Sequence, residues 1–264
     1  MEPTNQNTSP AVPIAIVAGF AMIALAIFLT NQKSDSNPTQ VAKEQASEVK
    51  SETTEVRPVG ENDYIRGNPN APILMVEYSD YDCPFCKQYH NTMNQIMDEY
   101  GITGKIAWAY RQFPLVKLHP NAQLISEAAL CVGDIGKNEA FWKFTDMVFN
   151  ERGADEQTNV TKLVQFAEAS GVSVSDYKTC MESDRMRPEL EAQITDGFNS
   201  GARGTPYTVL IVGNQQAIIN GAQPYATVKG IVENLIEQLE GNFDTDSVQN
   251  KDIPKNSQGV PILE

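Results

Sequence analysis

The chain has 264 residues, 20 Lys and Arg against 34 Asp and Glu, and a formal net charge of −14. Such an acidic protein lacks the basic surface that nucleic acids and anionic lipid headgroups require, so neither is an expected partner. Four cysteines are too few for a disulfide-dense scaffold, and two histidines leave too few ligands for a His-rich metal centre. The length accommodates one or two domains, and a hydrophobic content of 41% is enough for a core.

The first organised feature is an apolar run at residues 11–30, and no charged residue lies between Glu2 and Lys33. About 20 apolar residues at 1.5 Å per residue span the hydrocarbon core of a bilayer, whereas a buried helix of a globular domain would show a polar face. The run therefore predicts one transmembrane helix within an N-terminal membrane anchor, residues 1–33. A cleaved signal peptide is the alternative, although no Lys or Arg precedes the run and no clear Ala-x-Ala site follows it.

Polar segments flank the central part of the chain. Residues 34–62 contain no aromatic side chain and no sustained apolar period, which predicts a disordered, flexible linker. Residues 243–264 are rich in Asn, Asp, Ser and Pro, which predicts a loose C-terminal tail. The folded domain is therefore expected at residues 63–242.

The domain begins with a predicted strand, helix and strand. A continuous apolar run at residues 72–78 predicts a strand in the centre of a sheet. A helix follows, because five large residues share one helical face: Tyr89, Met93, Ile96, Met97 and Tyr100. A second strand is predicted at residues 106–110.

The second half of the domain begins with a long helical insertion, residues 118–202. Breaks in this insertion are predicted near three glycines: Gly133, Gly153 and Gly171. A β-hairpin is predicted from strands at 207–212 and 217–219 around the turn Gly213-Asn214. A final helix carries apolar residues at helical spacing over residues 228–239.

The order of these elements is βαβ, a helical block, and then ββα. It predicts an α/β fold with a mixed central sheet, helices on both faces, and the helical block inserted in the crossover between strands.

The segment Cys83-Pro84-Phe85-Cys86 lies between the first strand and the first helix. Pro84 suits the first helical turn, where a missing N–H group is no loss. Cys83 then faces the free N–H groups and the positive end of the helix dipole, which stabilise a thiolate and predict a nucleophile. Cys86 lies one turn further in, where it can form or resolve a disulfide with Cys83.

A zinc site is the alternative to a redox pair, and it requires two further ligands. The candidates are His90, His119, Cys131 and Cys180, and none of them forms a second tight pair in the sequence. Lys87 follows the second cysteine of the pair, which excludes a c-type haem attachment because that motif requires His there. We therefore expect a redox pair without a metal or another cofactor.

These motifs resemble the DsbA-like thioredoxin-fold thiol–disulfide oxidoreductases, and in particular the membrane-tethered bacterial type. The resemblance covers residues 63–241 and is carried by four pieces: SDYDCPFC, Phe113-Pro114-Leu115, His119-Pro120 and Gly204-Thr205-Pro206. A Cys-x-x-Cys motif alone is a moderate signal, but its combination with a distant Thr-Pro in this order is specific. The resemblance implies a thioredoxin fold for the domain.

The resemblance also implies roles for residues around the cysteine pair. Pro206 resembles the cis-proline that faces the redox pair in this fold, and the Thr205 backbone would then pair with an extended substrate. Pro84 and Phe85 would lie beside that substrate. An ordinary trans-proline at the start of a strand is the alternative for Pro206. Glu77 resembles the buried acid that exchanges a proton with the resolving thiol, unless it is a solvated strand residue.

A second pair of cysteines, Cys131 and Cys180, resembles a structural disulfide of some relatives. Both lie in the helical insertion in apolar surroundings, and two buried free thiols are the alternative. The bridge is favoured because exposed thiols do not persist where an oxidising catalyst works.

The sequence departs from the strongest oxidants of the family at Phe85, where those proteins carry His between the cysteines. An aromatic ring removes a cationic partner for the Cys83 thiolate, so the driving force for oxidation is an open question. Tyr81 and Asp82 are expected on the surface at the lip of the groove, where Asp82 would raise the pKa of a nearby thiol. His90 and His119 are expected to be packed or solvated structural residues.

The predicted function is formation of disulfides in secreted or membrane proteins that contain cysteines, with recycling by a quinone-linked membrane partner as the resemblance implies. A thiol reductase, a disulfide isomerase and a non-catalytic binding or chaperone module are the alternatives. The predicted location is the cell membrane, with one span and the catalytic domain outside the cytoplasm. Lys33, Lys43 and Lys50 point weakly to the opposite topology, but an oxidising dithiol favours the extracytoplasmic side.

Overall fold

The computed structural model describes residues 56–153, 156–241 and 262–263. The strands are β1 (Tyr64–Gly67), β2 (Ile73–Ser79), β3 (Ile106–Gln112), β4 (Tyr207–Val212), β5 (Gln215–Asn220) and β6 (Ile262–Leu263). The helices are α1 (Pro84–Tyr100), α2 (Ala122–Glu151), α3 (Leu163–Ala169), α4 (Val174–Glu182), α5 (Arg187–Asn199) and α6 (Tyr225–Glu240). Short 3₁₀ turns lie at Gly101–Thr103 and Val160–Lys162.

The strands form one mixed sheet in the order β1-β3-β2-β4-β5-β6. The pairs β2–β3 and β5–β6 are parallel, and the other neighbouring pairs are antiparallel. The strand with the continuous apolar run, β2, lies between β3 and β4, as its sequence predicts. The α/β class, the mixed sheet and the helical insertion between β3 and β4 are confirmed.

Helices cover both faces of the sheet. Alternate residues of the central strands point to opposite sides, so β2 contributes Met75 to one core and Val76 to the other. The larger core lies under α1, α2 and α6 and contains many aromatic side chains, among them Trp108 and Tyr110. The smaller core lies under α5 and contains Tyr78, Phe113 and Tyr207.

The segment 56–62 differs from the predicted flexible linker, because it packs on the domain. Val56 and Val59 are partly buried against the smaller core. The Arg57 N–H donates to Asp196 Oδ1 at 2.6 Å, and the Arg57 guanidinium pairs with Glu189 at 2.9 Å. Two isolated valines and one arginine make no periodic pattern, so their distant partners on α5 are invisible to a local analysis of the sequence.

The long helix α2 is interrupted at Lys137, where φ is 62°, and not at Gly133 as the sequence predicts. The interruption accompanies a side-chain contact with the edge of the sheet. Asn138 Oδ1 accepts a hydrogen bond from the Ile65 N–H at 2.7 Å, and Asn138 Nδ2 donates to the Ile65 carbonyl at 2.8 Å. The Asn138 amide thus makes hydrogen bonds with the backbone N–H and carbonyl of Ile65 on the outer edge of β1. The local sequence pattern does not predict β1.

The predicted anchor at residues 1–33 and the linker up to residue 55 lie outside the described residues, as does most of the predicted tail. Ile262–Leu263 is the exception, because it forms β6 beside Ile218 and Ile219 of β5. No helix among residues 56–153 and 156–241 has the length and apolarity needed to cross a membrane.

Candidate active site

The structure places Cys83 and Cys86 at the amino end of α1. Cys83 is the residue before the helix, with an extended backbone (φ −71°, ψ 125°), and Pro84 occupies the first turn. Cys86 follows one turn later, and both cysteines are free thiols. Cys83 retains 4% exposure, whereas Cys86 is fully buried. A reagent or substrate therefore meets Cys83 first.

The surroundings of Cys83 favour its thiolate. A hydrogen bond from Cys86 is the largest cause that lowers the pKa of Cys83, to about 6. The side chain of Thr205 and the backbone N–H groups of Phe85 and Cys86 act in the same direction, while burial opposes them. The two N–H groups belong to the first turn of α1, where a helix leaves its donors free.

The surroundings of Cys86 have the opposite effect. Burial raises the pKa of Cys86 well above its usual value, and the adjacent Cys83 and Glu77 raise it further. The Asp80 N–H donates to Cys86 Sγ at 3.4 Å. The pair is thus asymmetric, with one sulfur disposed to ionise and the other disposed to keep its proton.

The Thr205–Pro206 segment lies directly against this pair. Its peptide bond is cis, and Cys83 Sγ donates to the Thr205 carbonyl oxygen at 3.5 Å. Thr205 is half-buried, and its hydroxyl has no hydrogen-bond partner among the described residues, so it is available to the thiolate. The Pro206 carbonyl accepts a hydrogen bond from the Gly221 N–H at 3.0 Å, which fixes the segment to the end of β5.

Glu77 lies on β2, opposite Tyr110 of β3, and is completely buried. Neither carboxyl oxygen has a hydrogen-bond partner within the part of the chain that the structure describes. Burial raises the pKa of Glu77 to about 7, while the neighbouring Ser79 and Trp108 side chains lower it in part. The carboxyl group is thus able to gain or lose a proton near neutral pH.

Buried polar atoms continue from Glu77 along the same face of β2 and β3. Ser79 pairs in register with Gln112, and Glu77 with Tyr110, so these side chains are neighbours. Several atoms on this face make no hydrogen bond with any described residue: Ser79 Oγ, Trp108 Nε1, Tyr110 Oη and the Gln112 amide. The region beneath Cys86 is therefore polar, although it lies inside the core.

The turn before Cys83 is buried, which corrects the expectation that Tyr81 and Asp82 lie on the surface. Tyr81 is fully buried, and its hydroxyl pairs with Thr145 Oγ1 at 2.8 Å. Asp82 is 4% exposed, and Asp82 Oδ1 accepts the Thr158 N–H at 2.9 Å. Polar residues next to a catalytic motif suggest exposure, but partners from the helical insertion cover both side chains.

Asp80 organises this turn, and the sequence analysis missed it. The Asp80 carboxylate accepts the Asp82 N–H at 2.8 Å, the Leu115 N–H at 2.7 Å and His119 Nδ1 at 2.9 Å. The Asp80 carbonyl accepts the Cys83 N–H at 3.2 Å. The spacing of two residues between Asp80 and Asp82, just before the first cysteine, is the sequence feature that could have predicted this role, because an Asp side chain often accepts the N–H two residues later. His119 is structural, as expected, because it ties its loop to Asp80.

Apolar side chains are exposed directly after Cys83 and in the loop that Asp80 binds. Phe85 is 58% exposed, and Pro84 is half-buried. Val116 and Leu118 are also exposed, and they lie in the loop that Asp80 holds against the active-site turn. Phe85 thus points to solvent and not into the part of the domain that the structure describes.

His90 is a buried residue that pairs with Asp146. It is 1% exposed, its Nε2 pairs with Asp146 Oδ1 at 2.8 Å, and its ring stacks on Phe149. Burial lowers the pKa of His90, while Asp146 opposes this effect. No group of three or more His, Cys, Asp or Glu side chains suited to a metal lies within the described ranges.

Cys131 and Cys180 form a disulfide in the structure, with Cα atoms 5.8 Å apart. Both residues are buried, and the bridge joins α2 to α4 within the helical insertion. The disulfide involves neither Cys83 nor Cys86, so we expect it to stabilise the folded helical insertion.

A sequence profile of the thioredoxin family matches residues 60–234, which is more than half of the chain. The chain belongs to the thioredoxin family. The matched range contains both active-site cysteines, Glu77 and the Thr205–Pro206 segment.

The curated relatives of this thioredoxin-family chain differ in length. It is 30% identical over 147 residues to the Na⁺/H⁺ antiporter NhaA 1 of Salinispora arenicola, which covers 55% of this chain and 21% of the antiporter. The chain therefore spans about a fifth of the antiporters among the relatives it matches. It is 27% identical over 208 residues to a protein of Rickettsia bellii named as a protein-disulfide oxidoreductase, covering 76% of this chain and 74% of that protein.

Solved structures share the fold of this thioredoxin-family domain. Oxidised BdbD from Bacillus subtilis superposes with a TM-score of 0.60 at 17% identity, covering 68% of this chain and 96% of BdbD. α-DsbA1 from Wolbachia pipientis superposes with a TM-score of 0.58 at 21% identity, covering 70% of this chain and 96% of α-DsbA1. These matches confirm the DsbA-like thioredoxin fold that the cysteine and Thr-Pro motifs predict.

Proposed function

We propose that this chain is a thiol–disulfide oxidoreductase that forms disulfides in cysteine-containing proteins. One observation carries the proposal: an ionisable Cys83 lies above a buried Cys86 and against the Thr205 carbonyl. A thiolate with a lowered pKa is a good leaving group in thiol–disulfide exchange, and it is also the nucleophile. The names of the relatives from Rickettsia support the same chemistry.

The reaction begins with Cys83 and Cys86 joined as a disulfide. A substrate thiolate attacks the Cys83 sulfur, the Cys83–Cys86 bond breaks, and the Cys86 sulfur leaves with the electron pair and takes up a proton. A second substrate thiolate then attacks the substrate sulfur of the mixed disulfide, and Cys83 leaves as a thiolate. The substrate has lost two electrons to the cysteine pair, which a separate oxidant must restore.

The asymmetry of the pair supports oxidation over reduction. Stabilisation of the Cys83 thiolate stabilises the reduced protein, and a protein with a stabilised reduced form is an oxidant. Phe85 supplies no charge to this thiolate, so the Cys86 thiol, the Thr205 side chain and the backbone N–H groups supply the stabilisation. A reductase would require a more negative reduction potential than this arrangement favours.

Glu77 has the proposed role of exchanging the proton of Cys86. Its burial, its pKa near 7 and its electrostatic effect on Cys86 support this role. Thr205, Pro84 and Phe85 have the proposed role of holding an extended substrate segment, since a half-buried backbone and an exposed apolar face lie beside Cys83.

A two-cysteine peptide tests the proposal. The oxidised chain should convert the reduced peptide to its disulfide, Cys83→Ser should abolish conversion, and Cys86→Ser mixed with an oxidised peptide should accumulate a mixed disulfide at Cys83. The reduction potential, measured against glutathione, separates the alternatives. A potential near that of thioredoxin would support a reductase, and full activity of Cys83→Ser would support a non-catalytic module.

We also propose the arrangement of the whole chain: an anchor at residues 1–33, a linker that ends before Val56, and a catalytic domain outside the cytoplasm. The apolar run at residues 11–30 and the redox chemistry support this arrangement. A membrane oxidant linked to quinones is the proposed partner. Cysteine-accessibility labelling of residues after Lys33 tests the topology, and labelling only from the cytoplasm would contradict it.

A further inference from the structure

A buried arginine holds the active-site turn from outside the cysteine motif. Arg152 follows the last residue of α2 and is only 4% exposed. Its Nη2 donates to the Cys83 carbonyl at 2.8 Å and to the Tyr81 carbonyl at 3.0 Å, and its Nε donates to the Tyr81 carbonyl at 3.2 Å. The guanidinium thus spans the two carbonyls on either side of Asp82.

One of these two carbonyls, that of Cys83, begins α1. The Cys83 carbonyl accepts the Lys87 N–H at 3.2 Å, which is the first hydrogen bond of the helix. Arg152 therefore binds the residue at which the turn becomes helical. Its Nη1 also donates to the Glu156 carbonyl at 3.0 Å, so one planar group joins the turn to the loop that follows α2 within the helical insertion.

The orientation of Cys83 matters for its chemistry. The contacts that favour the thiolate come from Cys86 and from the backbone N–H groups of the first turn, and the sulfur also faces the Thr205 carbonyl. A hydrogen bond depends steeply on angle, so a small rotation of the turn weakens all of these contacts together. The peptide group that Arg152 fixes is separated from the sulfur by only a few covalent bonds.

We propose that Arg152 is a positioning residue for the redox reaction: its forked guanidinium fixes the 81–83 turn so that the Cys83 sulfur meets the amino end of α1. This inference rests on the proposed function. No motif marks Arg152, because 69 residues separate it from Cys83. Lysine is a poor replacement, because a single ammonium group lacks the planar fork that reaches both carbonyls.

The test compares four full-length proteins: the wild type, Arg152→Met, Arg152→Lys and the control Lys87→Met. Lys87 lies near Arg152 and contacts the Phe149 carbonyl, so Lys87→Met removes a neighbouring charge without touching the turn. Each reduced protein is alkylated with iodoacetamide over a range of pH, and modification of Cys83 is read from peptide masses. Circular dichroism of each oxidised protein reports its folding.

The expected result is a loss of thiolate in both Arg152 variants. Alkylation at about pH 5 should slow by about tenfold in Arg152→Met and by at least about threefold in Arg152→Lys, with a wild-type profile in Lys87→Met. The equilibrium constant for oxidation of glutathione should fall by the same factors, and tenfold corresponds to about 30 mV. If Arg152→Met does not fold, the inference is decided by whether alkylation of Arg152→Lys slows by at least about threefold.

Two results would overturn the inference. Wild-type profiles in folded Arg152 variants would show that the clamp does not position the sulfur. Equal effects of Arg152→Met and Lys87→Met, or full recovery in Arg152→Lys, would assign the effect to charge rather than to the fork. Failure of the proposed function is a separate result, because the wild type would then not oxidise a two-cysteine peptide whatever its thiol profile.

Discussion

The Cys83 thiol reaches the Thr205 carbonyl oxygen at 3.5 Å, although 122 residues of sequence separate the two. The helical insertion and its disulfide lie between them in the chain, yet the sheet brings α1 and the start of β4 together because β2 pairs directly with β4. Reactivity at this sulfur therefore depends on the sheet order as well as on the local motif.

The first prediction concerns the hydrogen bond between the two active-site thiols. This bond is the largest cause that lowers the pKa of Cys83 to about 6, so its removal in Cys86→Ala should raise that pKa. Alkylation of Cys83 at about pH 6 should slow by about tenfold. The control, Cys131→Ala combined with Cys180→Ala, should keep the wild-type profile. An unchanged midpoint in Cys86→Ala would assign the lowered pKa of Cys83 to the helix end and the Thr205 side chain.

The second prediction concerns the stability of the oxidised protein as a function of pH. The pKa of Glu77 is about 7 in the folded protein and 4.5 by its ordinary value, so the unfolded chain loses this proton first as the pH rises. The folded state is therefore penalised between these values, by about 3 kcal/mol in total above pH 7. Glu77→Gln removes the penalty.

Urea unfolding of oxidised wild type and Glu77→Gln should therefore give a stability difference that grows in favour of the variant from about pH 4.5 to about pH 7 and is level beyond. The oxidised form is used because Cys83 does not titrate in it. A difference that is constant with pH would show that Glu77 ionises normally. In the peptide assay, Glu77→Gln should also slow exchange at Cys86 by about a hundredfold.

The third prediction concerns the disulfide of the helical insertion. Cys131 and Cys180 close a loop with a sequence separation of 49, and in the chain-entropy relation such a loop stabilises the fold by about 4 kcal/mol. Replacing both cysteines by Ala should lower the free energy of unfolding by roughly that amount, measured in urea. The active-site pair should retain its reduction potential. A changed reduction potential would mean that the disulfide of the insertion influences the geometry of the Cys83–Cys86 pair.

Much of the fold follows from local patterns in the sequence. The apolar run of β2, the hairpin around Gly213-Asn214 and the apolar face of α1 are each contained within a short window, and each was predicted. The cysteine motif is equally local. These features are predictable because the residues that determine them are neighbours in sequence.

The features that were missed depend on partners far away. The burial of Asp82 comes from Thr158, 76 residues later, and the helix break moves to Lys137 where Asn138 meets Ile65, 73 residues earlier. Arg152 has no motif of its own. A short stretch of sequence contains only one partner of each contact, so it does not show which polar residues are buried by residues elsewhere in the chain.

The fourth prediction concerns the segment 56–62, which packs on the domain. A chain that starts at Val56 should be as stable as a longer one, whereas a chain that starts at Asp63 loses the apolar contacts of Val56 and Val59 and the Arg57 bonds to α5. The loss should be about 2 kcal/mol, since both valines are only partly buried. Urea unfolding of the two truncated proteins provides the comparison. Equal stabilities of the two truncated proteins would mean that residues 56–62 belong to the flexible linker.

The last prediction concerns the residue between the two cysteines. Phe85 is 58% exposed beside Cys83, so a protonated imidazole at this position would face the thiolate from the solvent side. Phe85→His should lower the pKa of Cys83 further and make the pair more oxidising, by about threefold to tenfold in the glutathione equilibrium, because solvent screens an exposed charge. Phe85→Leu is the matched control, since it removes the ring without adding charge. Equal shifts in the two variants would mean that the phenyl ring itself suppresses the thiolate. A shift confined to Phe85→His would show that Cys86, Thr205 and the backbone N–H groups lower the pKa of Cys83 in this chain without help from a cation.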